Sequence, residues 1–308
     1  MCRLPVKLSA LVLLTALANP LLADDDEPSL LWEAAGFEAP ESVRYDAERE
    51  RLYVSNINGN PTDKDGNGYL SLLSPSGEVL MARWLAGFDA PKGMALVGKK
   101  LYVSDIDRLV VVDVEAAEIV ATYDAPEAKF LNDVTADASG RVYVSDMGDN
   151  TIYRLNGTAF DVWLRDSALD SPNGLLAEED RLLVASWGVV GQGADVQLGV
   201  MRAVSWEDRS VSALDGAGIG HLDGLEKLPS AEDAEGEGDG QYLITDWVNG
   251  VLFTWAEGDD GDSKLTLALD LPAGSADIGT LPGEGVVIVP LMKDGIVQAY
   301  SLPDDEDE

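Results

Sequence analysis

Residues 130–146 read FLNDVTADASGRVYVSD. A polar pair, Asn132-Asp133, opens the stretch; a DASG cluster follows, and an apolar run, RVYVSD, closes it. Asp, Ser and Gly together favour a tight reversal, and VYV suits a packed strand. The same form returns along the chain as APESVRYDAERERLYVSN (39–56), APKGMALVGKKLYVSD (90–105), SPNGLLAEEDRLLVASW (171–187), HLDGLEKLPS…GQYLITDW (221–247) and SADIGTLPGEGVVIVPL (275–291). Each fits two short antiparallel strands joined by a turn. A third strand often follows, as in RLVVVDV, NTIYRLN, GVLFTWA and GIVQAYS, and outer stretches such as IVATYDA and AFDVWLR add a fourth. Repeated four-stranded units predict an all-β, six-bladed β-propeller with antiparallel blades. The last unit lacks a fourth strand of its own. Residues 29–38, SLLWEAAGFE, are the expected supplier from the N-terminal side, which would hide an open edge.

The expected organisation is a secretory leader over 1–23, the propeller over 24–302 and an acidic tail over 303–308. Arg3 and Lys7 precede an apolar stretch, LSALVLLTALA, that is too short to span a bilayer comfortably. The single Cys, Cys2, lies within that leader, so the mature domain is expected to fold without disulfides in a secreted, periplasmic setting. No stable membrane span is expected in the mature chain. The net charge of −35 repels nucleic acid and anionic lipid, so neither is an expected partner.

Two insertions are rich in acid groups. DKDGNG resembles the opening of a calcium loop, with Asp63, Asp65, Asn67 and Gly68. Its twelfth position is Ser74 rather than Glu, and a Gly/Asn hairpin insertion is the favoured interpretation. AEDAEGEGDG in the fifth unit, like EGDDGDSK after it, reads as a solvated rim loop.

The innermost strand of a propeller blade lines the central channel. The residues at the equivalent polar position are Glu41, Lys92, Asn132, Asn173, Asp223 and Asp277. Carboxylate and amide oxygens together suit a hard cation such as Ca2+ or Mg2+. A network neutralised by Lys92, near Glu41 or Asp277, is the alternative. Asp133 should point away from the channel and serve as a structural hydrogen-bonder. His221, the only His, shares a strand face with Asp223; it is either a hydrogen-bonding support or a proton shuttle at the mouth. Trp187 and Trp247 are either walls of the mouth or core material.

The order and spacing of APES, FLNDVTAD…GRVYVSD, SPNGL, LDGL and SADIG…VVIVP resemble the SMP-30/gluconolactonase/LRE-like family of six-bladed propellers, over roughly residues 35–301. The resemblance implies a divalent cation on the channel axis, Ca2+ foremost with Mg2+, Mn2+ or Zn2+ as alternatives, held by Glu41, Asn173 and Asp223. It implies a lactone or ester hydrolase with Asp223 as base and Asn132 orienting the substrate. A non-enzymatic periplasmic propeller that binds a small molecule or protein, with any metal purely structural, is the competing expectation. Lys92, Asp277 and His221 are the additional channel residues. Three positions depart from the family pattern. Phe130 stands where sugar-lactonase members carry an Arg, Ser42 replaces a Gly, and Lys92 is an unusual member of the ring. A more apolar lactone or ester therefore suits the site as well as a sugar-acid lactone.

Overall fold

The structure, a computed structural model, describes residues 27–189, 196–214, 217–228, 241–258 and 263–303. The expected leader, most of the acidic tail and the AEDAEGEGDG loop lie outside them. Among the described residues there are six four-stranded antiparallel sheets, one for each repeat, and a two-stranded one that pairs Gly188–Val189 with Gln197–Leu198. The first strands run Pro40–Asp46, Pro91–Val97, Leu131–Ala136, Pro172–Ala177, Leu222–Lys227 and Gly279–Leu281. They are the innermost strands: each of the first five packs against its successor or predecessor around the ring, and Gly279–Leu281 touches Pro40–Asp46 to close it. Six apolar clusters fill the clefts between neighbouring blades, so the core is distributed around the ring.

The sixth blade is completed by Ser29–Ala35, which pairs antiparallel with Ile296–Ser301. Trp32 on that strand also donates its indole N–H to the carbonyl of Pro75 at 3.0 Å, tying the strand to the first blade. The expected closure is present. Among the described residues no helix is long and apolar enough to cross a membrane.

One irregularity recurs. In five blades the register between first and second strands slips by one residue just where the polar head sits, between 40 and 43, 91 and 94, 131 and 134, 172 and 175, and 222 and 225. A bulge adds an unpaired residue, turns its side chain and leaves a backbone N–H without a ladder partner. In the first, third and fifth blades a hydroxyl near the end of the second strand meets that need. Ser55 Oγ accepts from Ser42 N at 2.9 Å, Ser145 Oγ from Asp133 N at 2.9 Å and Thr245 Oγ1 from Gly224 N at 2.8 Å. The Asp that follows ties the incoming loop: Asp105 accepts from Ala90 N at 2.7 Å, and Asp146 from Phe130 N at 2.8 Å. This is the physical content of the YVSD signature. Ser145→Ala leaves a buried N–H unpaired and should cost about 1–2 kcal/mol, read as a lower midpoint in denaturant unfolding with unchanged slope.

Candidate active site at the channel mouth

The residue after each bulged head decides how closely blades approach. A Cβ on Gly174 would lie 2.2 Å from the carbonyl oxygen of Asp223, and one on Gly93 would lie 2.5 Å from Asp133 Cα. Both positions are held by backbone crowding. At the seam between sixth and first blades Ser42 takes this place, and its hydroxyl donates to Asp277 Oδ2 at 2.5 Å. Asp277 N in turn donates to Glu41 O at 2.9 Å. Ser42 is thus a seam residue, which accounts for its departure from glycine.

The five bulged heads and Asp277 are aimed unequally. Asn173 Nδ2 donates to the carbonyl of Leu222 at 3.1 Å, which fixes its amide oxygen; Asn132 Nδ2 donates to that oxygen. Asp223 lies beside the Asn173 amide, and its carboxyl is raised well above the usual range by burial and by the charge of Asp277. Glu41 is 5% exposed, and its Oε2 is buried with no hydrogen-bond partner. Its carboxyl is pushed far up by burial and by Asp223, against a downward pull from Lys92. Glu41, Asn173 and Asp223 therefore form one group: two carboxyls and an amide oxygen, with one carboxyl oxygen unsatisfied. Among the described residues no three acidic, His or Cys side chains gather as a metal-ligating cluster, so any cation here depends on the Asn. The donor set and the orphaned Oε2 fit a hard divalent cation.

Lys92 does not pair with either acid head. Its ammonium donates to the carbonyls of Pro61 at 3.2 Å and Ala90 at 3.1 Å, and lies 4.5 Å from the centre of the Phe130 ring. It forms no ion pair with Glu41 or Asp277, and burial lowers its pKa despite Glu41. Asp277 precedes its blade's inner strand and turns to the seam. Asp133 accepts from Leu175 N and Val134 N, both at 2.6 Å, so it stitches the third blade to the fourth as expected of a structural hydrogen-bonder.

The channel contains an ion pair that sequence reading missed. Arg44 and Glu226, each three positions beyond its blade's head, meet at 2.6 Å although the sixth blade lies between theirs. Arg44 Nε also donates to the carbonyl of Met94 at 2.9 Å. The pair bridges the inner strands of three blades and crosses the channel beside Asp277 and Asp133, whose charges reach Arg44. The available signal was a charged residue at the matched offset on the inner strands of these two blades, of opposite sign.

His221 Nδ1 sits 2.9 Å from the carbonyl oxygen of Trp187, and its ring lies 5.4 Å from the Trp187 ring. The arrangement is that of a hydrogen-bonding support. Trp187 and Trp247 are half-buried with ring centres 5.9 Å apart, whereas Trp163 and Trp206 pack against Tyr143 within a blade cleft. The loop at 63–74 does not take a calcium-loop shape. Gly68–Leu73 is a strand, and Asn67 Nδ2 donates to Asp65 Oδ2 at 2.7 Å.

Asp277 is pushed up to about 7 by burial, which Arg44 and the Ser42 hydroxyl only partly offset. The folded protein then keeps this proton where the unfolded chain, with its ordinary value of 3.8, has lost it. The folded state binds more protons across that window, so stability falls as pH rises from about 4 to 7. Chelator-treated protein should melt roughly 5 °C lower at pH 8 than at pH 5, and Asp277→Asn should flatten the slope.

No protein-family model and no curated protein matches the chain. Solved structures do. A gluconolactonase from Xanthomonas campestris aligns with a TM-score of 0.63 at 14% identity, covering 90% of this chain and 89% of that one. A second structure assigned to the gluconolactonases gives 0.58 at 17% identity, over 90% and 92%. A streptogramin B lyase gives 0.59 at 13% identity, over 89% and 98%. The chain resembles these proteins in overall fold, and at such identities the likeness is one of fold alone.

Proposed function

We propose that the protein is a secreted, divalent-cation-dependent hydrolase of lactones or esters. The observation that carries this reading is Glu41 Oε2, buried and without a partner beside Asp223 and the fixed amide of Asn173. Such an atom is costly unless something electropositive meets it. Glu41, Asn173 and Asp223 would hold the cation, Ca2+ foremost. When bound, the cation supplies Lewis-acid polarisation of the substrate carbonyl. Asn132 orients the substrate, its Nδ2 moving from Asn173 to a substrate oxygen. Asp223 takes the proton from the attacking water at its carboxylate. The water oxygen bonds to the acyl carbon, the acyl C–O bond breaks, and the alcohol oxygen receives the proton. The fold neighbours that carry gluconolactonase names support the class of reaction.

Purified protein assayed against a panel of lactones and aryl esters should lose turnover on chelation and regain it with Ca2+. No turnover under any metal would overturn the hydrolase reading. The Asn132–Asn173 bond, which already satisfies one amide oxygen, favours a second reading: a propeller that binds a ligand or protein without turning it over, with any cation structural. That reading predicts a melting temperature raised by the cation and no hydrolysis of the panel.

A further inference from the structure

Every second strand stops at the same height, at Asn56, Asp105, Asp146, Ser186, Asp246 and Leu291. The next residues are Ile57, Ile106, Met147, Trp187, Trp247 and Met292, one large apolar side chain per blade. Their backbone seats them over the polar ring. The N–H of Ile57 donates to Ala39 O at 3.1 Å, Met147 to Phe130 O at 3.1 Å, Trp187 to Ser171 O at 2.8 Å and Trp247 to His221 O at 3.1 Å. Each acceptor lies two residues before its blade's head, in the residue that leads into the inner strand. Met147 Sδ is 3.8 Å from Asn132 Nδ2, which joins rim to ring. Ile57 and Ile106 pack in one cluster with Met292 against it, and Trp187 meets Trp247 on the fourth and fifth blades.

Ile106 is held there at φ 59, a left-handed conformation unfavourable to a β-branched residue. None of the six carries a charge or a strong acceptor. The Trp187 indole N–H is buried without a partner, and the exposed Lys293 lies across Trp247 with its ammonium 3.9 Å from the ring centre.

We propose that this rim selects lactones and esters that carry an apolar chain or ring, and disfavours polyhydroxylated ones. The proposal rests on the hydrolase reading above and narrows its substrate class. A substrate whose carbonyl reaches Asn132 and Asp223 must lay the rest of itself along the rim. Ile57 and Ile106 are buried and back the partly exposed Met147, Trp187, Trp247 and Met292; methylenes there leave water for Met and Trp surfaces, and hydroxyls there lose water and find almost no partners. Phe130, half-buried beside Asn132, continues the same apolar wall, and Lys92 is occupied behind it by two carbonyls and the ring.

The test uses the whole mature protein with Ca2+ and 4-alkyl-γ-lactones from methyl to octyl, beside a polyhydroxylated δ-lactone. Tryptophan fluorescence with the matching γ-lactams, which resist hydrolysis, reads binding independently of turnover. Expected is a rise in kcat/KM, and in lactam affinity, of about threefold to fourfold per methylene until the chain clears the rim. Trp247→Ala should flatten that dependence. Met292→Ser is the second variant, because its side chain only leans on its cluster and its loss is a milder test of folding. Chain-length-dependent lactam binding without turnover of any substrate keeps the rim and sinks the hydrolase reading. Turnover with no chain-length dependence, or with preference for the polyhydroxylated lactone, overturns the rim and keeps the hydrolase. Absence of both turnover and chain-dependent binding overturns both.

Discussion

On the hydrolase reading proposed above, Glu41→Gln should lower hydrolysis by on the order of 10²–10³-fold and remove most of the melting-temperature gain expected of Ca2+ in the wild type. The substitution keeps the shape of a buried side chain whose Oε2 has no protein partner. It removes a negative charge from a group in which Glu41, Asp223 and Asp277 repel one another. The cation-free variant should therefore be as stable as the cation-free wild type, or more so. The two effects separate a ligand from a mere structural acid: loss of cation response with gain in cation-free stability. An unchanged calcium-induced shift in Glu41→Gln would remove Glu41 from the site, whatever the activity.

Arg44→Met costs about 2–3 kcal/mol of unfolding free energy, less than a fully buried pair would because a quarter of the Arg side chain meets solvent. It strands Glu226, Asp133 and Asp277 without their nearest cation. Glu226→Gln alone should cost less, since Arg44 keeps Asp277 and Asp133 as partners. In the double variant the losses should not add, and the cycle should give a coupling of at least about 1 kcal/mol. Additive losses in chemical denaturation would mean the pair is incidental to the fold. Hydrolysis should persist in both single variants, because neither side chain belongs to the Glu41, Asn173 and Asp223 group.

The repeat was legible because similar physical demands recur from blade to blade. A bulge is served by a hydroxyl in three blades, the incoming loop by a carboxylate in several, and the closest approach by a glycine. These demands print SD and NG or DG at fixed spacing, so the six heads could be aligned without knowing why they are polar. The closing strand could be seen because one unit was a strand short. Arg44 and Glu226 were hidden because their blades are not neighbours and the bulge shifts the register between head and partner. A regular alternation cannot place such a pair. The Lys92 ion pair weighed as the alternative to a cation is not formed, because two carbonyls and an aromatic face meet the ammonium locally. Of the apolar rim only Trp187 and Trp247 could be singled out, because Ile, Met and Trp share apolar character but not identity. Only their place after the second strand unites them.

The joining of Ser29–Ala35 to Ile296–Ser301 sets a rule for how the molecule is made. Glu33 and Gln298 hydrogen-bond across 265 residues of chain. Bringing such distant segments together costs roughly 5 kcal/mol of loop entropy before any contact repays it. Five blades can form from neighbours in sequence, but the sixth must wait for the last strand to emerge and find the first. Folding should end in a slow docking step of high contact order. Until then the strand at Ile296–Ser301 has an unguarded edge, the place where a half-made molecule is most exposed to pairing with another.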